Sequence, residues 1–279
     1  MLVTMKEILD RASKENYAVV APNVFYELET TAVLELAEEL NSPIILDVFP
    51  TFSKSILELA KNCKVPVAIN LDHGRSYEDI IKTMTRGVTS VMVDRSMKPF
   101  DENVNEVKEI VKIAHAIGIS VEAELGHVGN GSEYDDDNSL CLTDPKEAKR
   151  YVELTNVDAL AVAIGTAHGK YVKEPHIHFD LLKQIKSEVD IPLVLHGGSD
   201  SGFDNIAKAS KNGINKVNVN TALMNGAIDE IKKTMETNRR SILFFDIKNG
   251  YKKVLLKYME ACGCIDKAWK VEIVGINSK

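Results

Sequence analysis

Three histidines stand in short motifs that could together hold a metal ion. They are His73 after Asp72, His168 in an Ala-His-Gly motif, and His196 at the start of a His-Gly-Gly-Ser motif. Three imidazole ligands without a cysteine fit zinc or a similar divalent ion, and such a site keeps a position open for substrate. For any one of these histidines alone, an ordinary hydrogen-bonded residue is the better interpretation. The three together favour a catalytic metal site.

Two carboxylates, Asp94 and Glu124, also follow apolar runs. Alternation along a strand places Glu122 and Glu124 on the same face. Carboxylates beside metal-binding histidines either orient the imidazole rings or bind metal themselves. Asp94 and Glu124 could instead be solvated carboxylates at the rim of the fold.

Eight short runs rich in Val, Ile, Leu and Ala alternate with longer amphipathic segments, as is typical of parallel strands followed by helices. The predicted strands are residues 17–24, 43–48, 66–73, 90–96, 120–126, 159–165, 192–198 and 216–221. Eight strands predict an α/β fold of the (β/α)8 TIM-barrel class. A doubly wound open sheet is the competing fold, but residues 21–24 do not form the glycine-rich first turn that it would usually show.

Functional side chains of such a barrel project from the carboxyl ends of its strands, which are unusually polar here and include Asn23. Asp72 and His73 are neighbours, so they would point to opposite faces of a regular strand. Gly74 indicates that the chain is already turning at this point. The polar strand ends are therefore expected to line the mouth of the barrel.

The last two predicted strands are followed by residues that suit an anion. Gly197, Gly198 and Ser199 follow the seventh strand. The end of the eighth strand supplies Asn218, Val219, Asn220 and Thr221. A phosphate commonly binds at this position in TIM barrels, where backbone N–H groups and hydroxyls are available. Turn-forming glycine is the alternative, but the position after both last strands favours phosphate.

A metal, a carboxylate and a phosphate site suggest chemistry on a phosphorylated carbonyl compound. Cleavage of a carbon–carbon bond next to a carbonyl needs an electron sink, either a lysine Schiff base or a metal. Lys216 is predicted only to open the eighth strand, so that no lysine falls inside a strand. The sequence therefore predicts that the metal is the sink.

Helix-like segments lie between the strands, at residues 30–40, 77–85, 102–117, 145–155, 180–187 and 204–212. Several have Asp, Ser or Thr near the start, where helices are capped. The sequence shows neither an internal repeat nor a linker, so residues 1–279 are predicted to form a single domain. The helical tail at about 225–279 is predicted to pack on the barrel, with Trp269 and the other tail aromatics serving this packing.

Charge and composition exclude several kinds of partner. The 279 residues contain 34 Lys and Arg against 41 Asp and Glu, a net charge of −7 without a basic block for nucleic acid or anionic membrane. The first residues lack the apolar core of a signal peptide, and no apolar run approaches the roughly 18 to 20 residues that span a bilayer. The four cysteines show neither paired metal-type spacing nor the density of a disulfide scaffold. A cytoplasmic protein with a small-molecule substrate is predicted.

These motifs resemble the class II, metal-dependent ketose-bisphosphate aldolases, especially the tagatose-bisphosphate and shorter-chain fructose-bisphosphate branch. The resemblance spans most of the chain and lies in residues 70–74, 90–94, 120–126, 159–169, 193–199, 216–221 and 262–268. It implies a lyase that reversibly cleaves a ketose 1,6-bisphosphate or ketose 1-phosphate to dihydroxyacetone phosphate and an aldehyde. It also implies a homodimer or homotetramer.

The resemblance further implies a set of metal and phosphate contacts. Catalytic Zn²⁺ would be held by His73, His168 and His196. Asp94 and Glu124 match positions that can hold a second or displaced metal. Phosphate contacts carry over to Gly169 and to the two motifs after the last strands, and the family leads us to expect a Na⁺ or K⁺ ion beside the phosphate.

Asp72 matches the catalytic acid/base of the family. In the cleavage direction it would take the proton of the C4 hydroxyl as the C3–C4 bond breaks, with the metal stabilising the resulting enediolate. A family acid in the loop after the fifth strand exchanges the proton of the enediolate carbon, and Glu133 is the nearest match. A solvated acidic loop is the alternative for Glu133.

Several positions depart from the family pattern. Asp200 stands where glycine is usual, and Arg95 and Met97 replace a glycine and a histidine. The second strand ends in Asp-Val-Phe-Pro at residues 47–50, where the family has small or hydroxyl residues near the far end of the sugar. We therefore expect an altered aldehyde-side pocket and an aldehyde partner other than glyceraldehyde 3-phosphate.

Two further functions remain open. A metal-dependent hydrolase could use the same barrel, and release of an aldehyde without consumption of water separates the two reactions. A non-catalytic sugar-phosphate-binding homologue is the third interpretation. The presence of Asp72 together with all three metal-type histidines counts against it, because binding alone does not need a general base.

Overall fold

Eight parallel strands form the centre of the protein. The computed structural model describes residues 1–133, 142–172, 175–237 and 240–270. The strands are β1 Val19–Pro22, β2 Ile44–Val48, β3 Val67–Gly74, β4 Ser90–Val93, β5 Ser120–Leu125, β6 Ala159–Val162, β7 Leu193–Leu195 and β8 Ile214–Val219. Strands β2 to β8 pair in chain order and β8 pairs with β1, while a bridge between Asn23 and Asp47 joins β1 to β2. The predicted (β/α)8 TIM barrel is confirmed, and the open sheet is excluded.

Helices surround the barrel. They are α1 Met5–Glu15, α2 Glu27–Glu39, α3 Lys54–Asn62, α4 Tyr77–Met84, α5 Phe100–Ala116, α6 Pro145–Thr155, α7 Phe179–Glu188, α8 Phe203–Lys211, α9 Thr221–Glu236 and α10 Leu243–Cys262. Local sequence fixes several starts. At α6, the Asp144 side chain accepts the N–H groups of Lys146 and Glu147, and Pro145 occupies the first turn. No helix in the described ranges is long and apolar enough to cross a membrane.

The strands are buried on both faces, as expected when helices cover a parallel sheet. Every residue of β2, β5 and β8 is buried. The outward-facing side chains pack against the helices. The inward-facing side chains fill the barrel, and some of them are charged.

The most unusual feature of the barrel interior is a lysine between two carboxylates. Lys216 Nζ lies 2.7 Å from Glu122 Oε2 and 3.5 Å from Asp47 Oδ1, and all three side chains are fully buried. Asn70 Nδ2 donates to Asp47 Oδ1 at 2.8 Å. The expectation that no lysine lies inside a strand is wrong, because β8 begins at Ile214 and continues through its polar residues.

The charge of Lys216 determines what it can do. Burial is the largest influence on the pKa of Lys216 and lowers it, but the charges of Asp47 and Glu122 outweigh burial and raise the pKa above its ordinary value. Lysines that form Schiff bases need a depressed pKa. Lys216 is therefore a structural cation, and the metal remains the predicted electron sink.

Replacement of Lys216 tests this structural role. Lys216→Met leaves two buried carboxylates without their cation, and breaking a buried ion pair in this way costs about 3–5 kcal/mol. We expect the free energy of unfolding, measured by urea denaturation with circular dichroism, to fall by an amount of that order. The control is Lys233→Met, which removes an exposed partner of Glu230 and should leave the midpoint unchanged. Equal midpoints for the two variants would contradict the role given to Lys216.

Candidate active site

A polar pocket lies at the carboxyl ends of the strands. It is lined by Asn23, Phe49, Asp72, His73, His168, Gly169, His196, Gly197, Gly198, Ser199, Asn218, Asn220 and Thr221. These residues come from the ends of six different strands, which the closed barrel brings to one edge. The predicted site residues are thus largely assembled in one place.

The end of β3 is distorted, and the distortion brings two neighbouring side chains into the pocket. His73 has a φ of +46°, a left-handed conformation that is uncommon for residues other than glycine. The register between β3 and β4 shifts between Leu71 and Gly74. As a result, Asp72 and His73 both line the pocket instead of facing opposite sides. Backbone strain of this kind is typical of functional sites.

The three histidines meet in this pocket. The ring of His73 lies 5.0 Å from that of His168 and 4.8 Å from that of His196, measured between centroids. One ring nitrogen from each histidine lies within 4.8 Å of the other two. His196 Nδ1 is buried and has no hydrogen-bond partner among the described residues. A metal ion would satisfy this atom, so the residues present fit the predicted metal group.

Carboxylates fix the orientation of two of these rings. His73 Nδ1 lies 2.9 Å from Asp94 Oδ2, and His196 Nε2 lies 2.8 Å from Glu122 Oε1. Each carboxylate engages one ring nitrogen and leaves the other for a metal. Glu122 is in turn held by Lys216. Sequence reasoning missed Glu122 as a site residue, although alternation placed it on the same face as Glu124.

The histidines differ in their affinity for a proton. Burial is the largest influence on His73 and opposes its protonation, but the hydrogen bond to Asp94 and the charge of Asp72 raise the pKa of His73 to about 9. For His168, burial and then repulsion from His196 and His73 lower the pKa to about 3. A metal ligand must be deprotonated, so His168 is ready to bind at neutral pH.

Asp94 and Glu124 form a second group of possible ligands with His73, in which one donor atom from each lies within 4.8 Å of the others. The Glu124 side chain is 1% exposed and that of Asp94 is 10% exposed. Glu124 Oε2 is buried without a partner in the described part of the chain, and burial raises the pKa of this carboxyl. The two residues are therefore not solvated carboxylates at the rim.

Two asparagines hold Asp72 in place. Asn23 Nδ2 donates to Asp72 Oδ2 at 2.8 Å, and Asn218 Nδ2 donates to Asp72 Oδ1 at 3.3 Å. Burial, the largest influence, raises the pKa of Asp72, but the charges of His73 and His196 outweigh it and hold the pKa below its ordinary value. Asp72 is thus an oriented, ionised carboxylate that can accept a proton. Both asparagines also line the pocket, as predicted for substrate contacts.

Backbone amides on the far side of the pocket are available to an anion. Among the described residues, the N–H groups of Gly169, Ser199 and Thr221 donate to no other group. Thr221 begins α9, a helix of 16 residues, whose positive end favours an anion. Ser199 Oγ accepts the N–H of Asn220 at 3.3 Å and so holds the two loops together.

Other residues of these motifs serve the loop itself. Gly197 has a φ of +69°, and a Cβ there would lie 2.4 Å from the carbonyl oxygen of Ala167, so glycine is required. The N–H of Gly198 donates to the carbonyl of Asn218 at 3.1 Å. Val219 lies in β8 and packs in the core. Of the predicted phosphate contacts, the Val219 side chain therefore packs in the core, and the amide of Gly198 is already used in a hydrogen bond within the fold.

The departures from the family pattern have local explanations. Asp200 has a φ of +58°, which accounts for glycine as the usual residue, and aspartate is among the residues that tolerate this conformation. Arg95 is buried and donates to the carbonyls of Gly74 at 3.0 Å and Asp94 at 2.8 Å, which ties β3 to β4 beside the metal group. Met97 is 78% exposed and lies on the surface.

The end of β2 contributes one aromatic residue to the pocket. Phe49 lines it and stacks on Phe25, with 5.3 Å between ring centroids. Asp47 does not line the pocket, because its side chain faces the barrel interior and pairs with Lys216. Of residues 47–50, which were expected to alter the aldehyde-side pocket, Phe49 is the one that lines the described pocket. The residues that line the pocket in the described ranges include no lysine or arginine.

Glu133 ends a short 3₁₀ helix, Gly131–Glu133, in the loop after β5. The backbone of this loop pairs with the β6 loop, since Gly131 N–H donates to the His168 carbonyl at 2.7 Å and His168 N–H donates to the Gly129 carbonyl at 2.8 Å. The loop thus reaches the metal group. The side chain of Glu133 and residues 134–141 lie outside the described part of the structure.

Comparison with known proteins agrees with this geometry. The model of the class-II fructose-bisphosphate aldolase family matches residues 3–267. The YdjI aldolase from Escherichia coli K12 is 34% identical with a TM-score of 0.87, over 96% of this chain and 100% of that chain. A candidate fructose-1,6-bisphosphate aldolase from Coccidioides immitis is 27% identical with a TM-score of 0.84, over 94% and 97%. The fructose-bisphosphate aldolase from Campylobacter jejuni, 22% identical with a TM-score of 0.80 over 95% and 96%, shares the fold.

Class II aldolases act on sugar phosphates and use a divalent metal ion. The family match covers almost the whole chain, including all the motifs between residues 70 and 221 that carry the resemblance in the sequence. The histidines and carboxylates of those motifs meet in one pocket at the carboxyl ends of the strands. This chain belongs to the class II fructose-bisphosphate aldolase family.

Proposed function

We propose that this protein catalyses the metal-dependent, reversible aldol cleavage of a ketose 1-phosphate or ketose 1,6-bisphosphate. The products are dihydroxyacetone phosphate and an aldehyde. The observation that carries the proposal is the convergence of three histidine nitrogens within 4.8 Å of one another in the pocket that also holds the ionised Asp72. Zn²⁺ is the preferred ion, because three imidazoles without a thiolate are typical of catalytic zinc sites.

The chain offers two overlapping sets of ligands. His73, His168 and His196 would hold the catalytic ion, and Asp94 and Glu124 would hold a second or displaced ion together with His73. A divalent ion bound at the histidines would act as a Lewis acid on the substrate carbonyl and so provide the electron sink for cleavage.

Asp72 is assigned the proton transfer at the C4 hydroxyl. As the C3–C4 bond breaks, its electron pair moves toward the C2 carbonyl, the C4 oxygen becomes the aldehyde oxygen, and the hydroxyl proton passes to Asp72. The amides of Asn23 and Asn218 keep the carboxylate oriented for this step. Condensation reverses the sequence, with the proton returned from Asp72 to the new hydroxyl.

The opposite side of the pocket is assigned to the 1-phosphate. Gly169, Ser199 and Thr221 offer backbone amides there, and the Ser199 and Thr221 hydroxyls add donors. A Na⁺ or K⁺ ion beside the phosphate is part of the proposal by analogy with the family. Glu133 is proposed as the acid that returns a proton to C3 of the departing product.

The aldehyde side favours one substrate class over the other. Phe49 lines the pocket on the β2 side, next to the strand that carries Asp72, whereas the amides come from the loops after β6, β7 and β8. Phenylalanine offers no donor to a second phosphate, and the described lining holds no lysine or arginine. A ketose 1-phosphate with an uncharged far end is therefore the preferred substrate.

The remaining assignments follow from the chain as a whole. We propose that residues 1–279 act as one aldolase domain with the tail packed on the barrel. A cytoplasmic location is part of the proposal, and the acidic net charge of −7 argues against a nucleic-acid or anionic-membrane partner. A homodimer or homotetramer is proposed from the family.

A coupled assay for dihydroxyacetone phosphate tests the activity directly. Ketose 1-phosphates and 1,6-bisphosphates are supplied with Zn²⁺ or with chelator, and metal-dependent release is expected. Asp72→Asn should lower kcat by about 10²- to 10⁴-fold, because it removes the base. Asp79→Asn, an exposed carboxylate on α4, is the control. Aldehyde release without dihydroxyacetone phosphate, water consumption, or inactivity across the panel would contradict the proposal.

The orienting role of Glu122 makes a prediction about metal affinity. Glu122→Gln keeps the shape of the side chain but removes the charge that faces His196, and loss of such a partner weakens metal binding by about 10- to 100-fold. The dissociation constant for Zn²⁺ is measured by competition with a chromophoric chelator. Glu153→Gln, on the exposed side of α6, is the matched control. An unchanged constant would exclude this role for Glu122.

Phe49 makes a prediction about specificity. The wild-type enzyme should cleave a ketose 1-phosphate with a higher kcat/KM than the matching 1,6-bisphosphate. Phe49→Lys places a cation on the aldehyde side and should shift the ratio of the two kcat/KM values toward the bisphosphate by about tenfold or more. Phe245→Lys changes a phenylalanine that is 68% exposed and serves as control. Equal use of both substrates by the wild type would contradict the proposal that the aldehyde side of the pocket accepts an uncharged group.

A further inference from the structure

Helix α10 reaches the active site through two tyrosine hydroxyls. Tyr251 Oη donates to the backbone carbonyl of Asn23 at 2.6 Å, and Tyr258 Oη donates to the backbone carbonyl of Gly198 at 3.3 Å. The two side chains are 1% and 3% exposed. They stand seven residues apart, about two helical turns, and so share one face of the helix. The expectation that the tail aromatics serve only packing is therefore incomplete.

Tyr251 is connected to the catalytic carboxylate through one residue. The carbonyl of Asn23 accepts the tyrosine hydroxyl, and the side chain of the same residue donates to Asp72 Oδ2 at 2.8 Å. Asn23 follows β1 directly, where its backbone forms an isolated bridge to Asp47 instead of lying in the regular strand. Tyr251 thus fixes the backbone from which Asn23 orients Asp72.

Tyr258 acts on the anion-binding loop. The carbonyl of Gly198 and the N–H of Ser199 belong to one trans peptide unit, in which the two groups point in opposite directions. A hydroxyl that holds the carbonyl on the helix side therefore directs the N–H away from the helix. Ser199 lines the pocket, and its N–H donates to no other group in the described ranges. Tyr258 thus orients an amide that is available to the phosphate.

Helix α10 is held in place by close packing against α9. A Cβ on Gly250 would lie 2.3 Å from the carbonyl oxygen of Gly226, so α9 and α10 approach each other backbone to backbone. This contact is adjacent to Tyr251 and fixes the position of α10 relative to α9. Burial raises the pKa of Tyr258 to about 12 and that of Tyr251 further, so both hydroxyls remain donors at neutral pH.

We propose that Tyr251 and Tyr258 are positioning residues for the reaction, and that α10 therefore contributes to the geometry of the active site. Tyr251 positions the base through Asn23, and Tyr258 positions the phosphate-binding amide of Ser199. The kinetic part of this inference rests on the proposed aldolase function. The structural part, the immobilisation of two backbone segments, does not depend on it.

Single oxygen deletions separate the two roles. Tyr258→Phe should raise KM for the ketose 1-phosphate by about 5- to 10-fold and leave kcat within about twofold, because it disturbs binding of the phosphate. Tyr251→Phe should lower kcat by about tenfold and leave KM within about twofold, because it disturbs the base. General destabilisation of the helix would not divide the two constants in this way.

The control loosens the same helix without touching either hydrogen bond. Leu255 lies between the two tyrosines and is fully buried, so Leu255→Val removes a methylene from the packing of α10. Thermal unfolding of the three variants establishes that they are folded and compares their stability. Kinetic constants of Leu255→Val are expected to match those of the wild type.

Hydrogen–deuterium exchange of the unliganded proteins provides a readout without catalysis. Peptides that contain Gly198 and Ser199 should exchange faster in Tyr258→Phe, and peptides that contain Asn23 should exchange faster in Tyr251→Phe. If the wild type cleaves no substrate, the proposed function fails while this exchange pattern still supports or overturns the positioning. If neither segment exchanges faster, if kcat and KM change together in each tyrosine variant, or if Leu255→Val shows the same kinetic changes as the tyrosine variants, the inference is wrong.

Discussion

One buried positive charge, the ammonium group of Lys216, allows the barrel to keep carboxylates in its interior. Lys216 affects the two carboxyl groups unequally. Burial raises the pKa of Asp47 well above its ordinary value. Burial also acts to raise the pKa of Glu122, but Lys216 and His196 outweigh it and hold that pKa below its ordinary value. The distances agree, since the ammonium is nearer to Glu122, at 2.7 Å, than to Asp47, at 3.5 Å. An ionised Glu122 accepts His196 Nε2–H and leaves Nδ1 for a metal. The orientation of the metal-binding ring of His196 is thus determined by Glu122 and Lys216, which lie beneath the pocket in the barrel interior.

The rest of the site depends on where the strands end. A closed parallel barrel brings all its carboxyl ends to one rim, so the order of motifs along the chain becomes an order around the pocket. The rim alone would not place Asp72 beside His73, because neighbours in a strand face opposite ways. The left-handed backbone at His73 turns both side chains into the pocket and introduces local strain. Arg95 stabilises this segment by donating a hydrogen bond to the carbonyl of Gly74.

The sequence predicts what depends on local periodicity and on motifs. All eight strands were recognisable from apolar runs, and the three histidines from their short motifs. It does not predict pairings between distant residues. Glu122 meets a histidine 74 positions away, and Tyr251 meets Asn23 across 228 positions. From the sequence, Lys216 is interpreted as the edge of a strand, because an unpaired lysine is normally excluded from a core. Its two buried counter-charges become visible only in the folded structure.

The two ends of the pocket are built by different means, and this difference governs how specificity can change. The anion end uses backbone amides whose positions follow from a required glycine, a helix start and a tyrosine behind the loop. Side-chain substitution cannot easily alter these amides without disturbing the fold. The proposed aldehyde end presents Phe49, which is 36% exposed and stacks on Phe25. On the proposed function, replacing this side chain is expected to change which far end of the sugar is accepted, while the hydrogen bonds that hold the amides and Asp72 are unaffected.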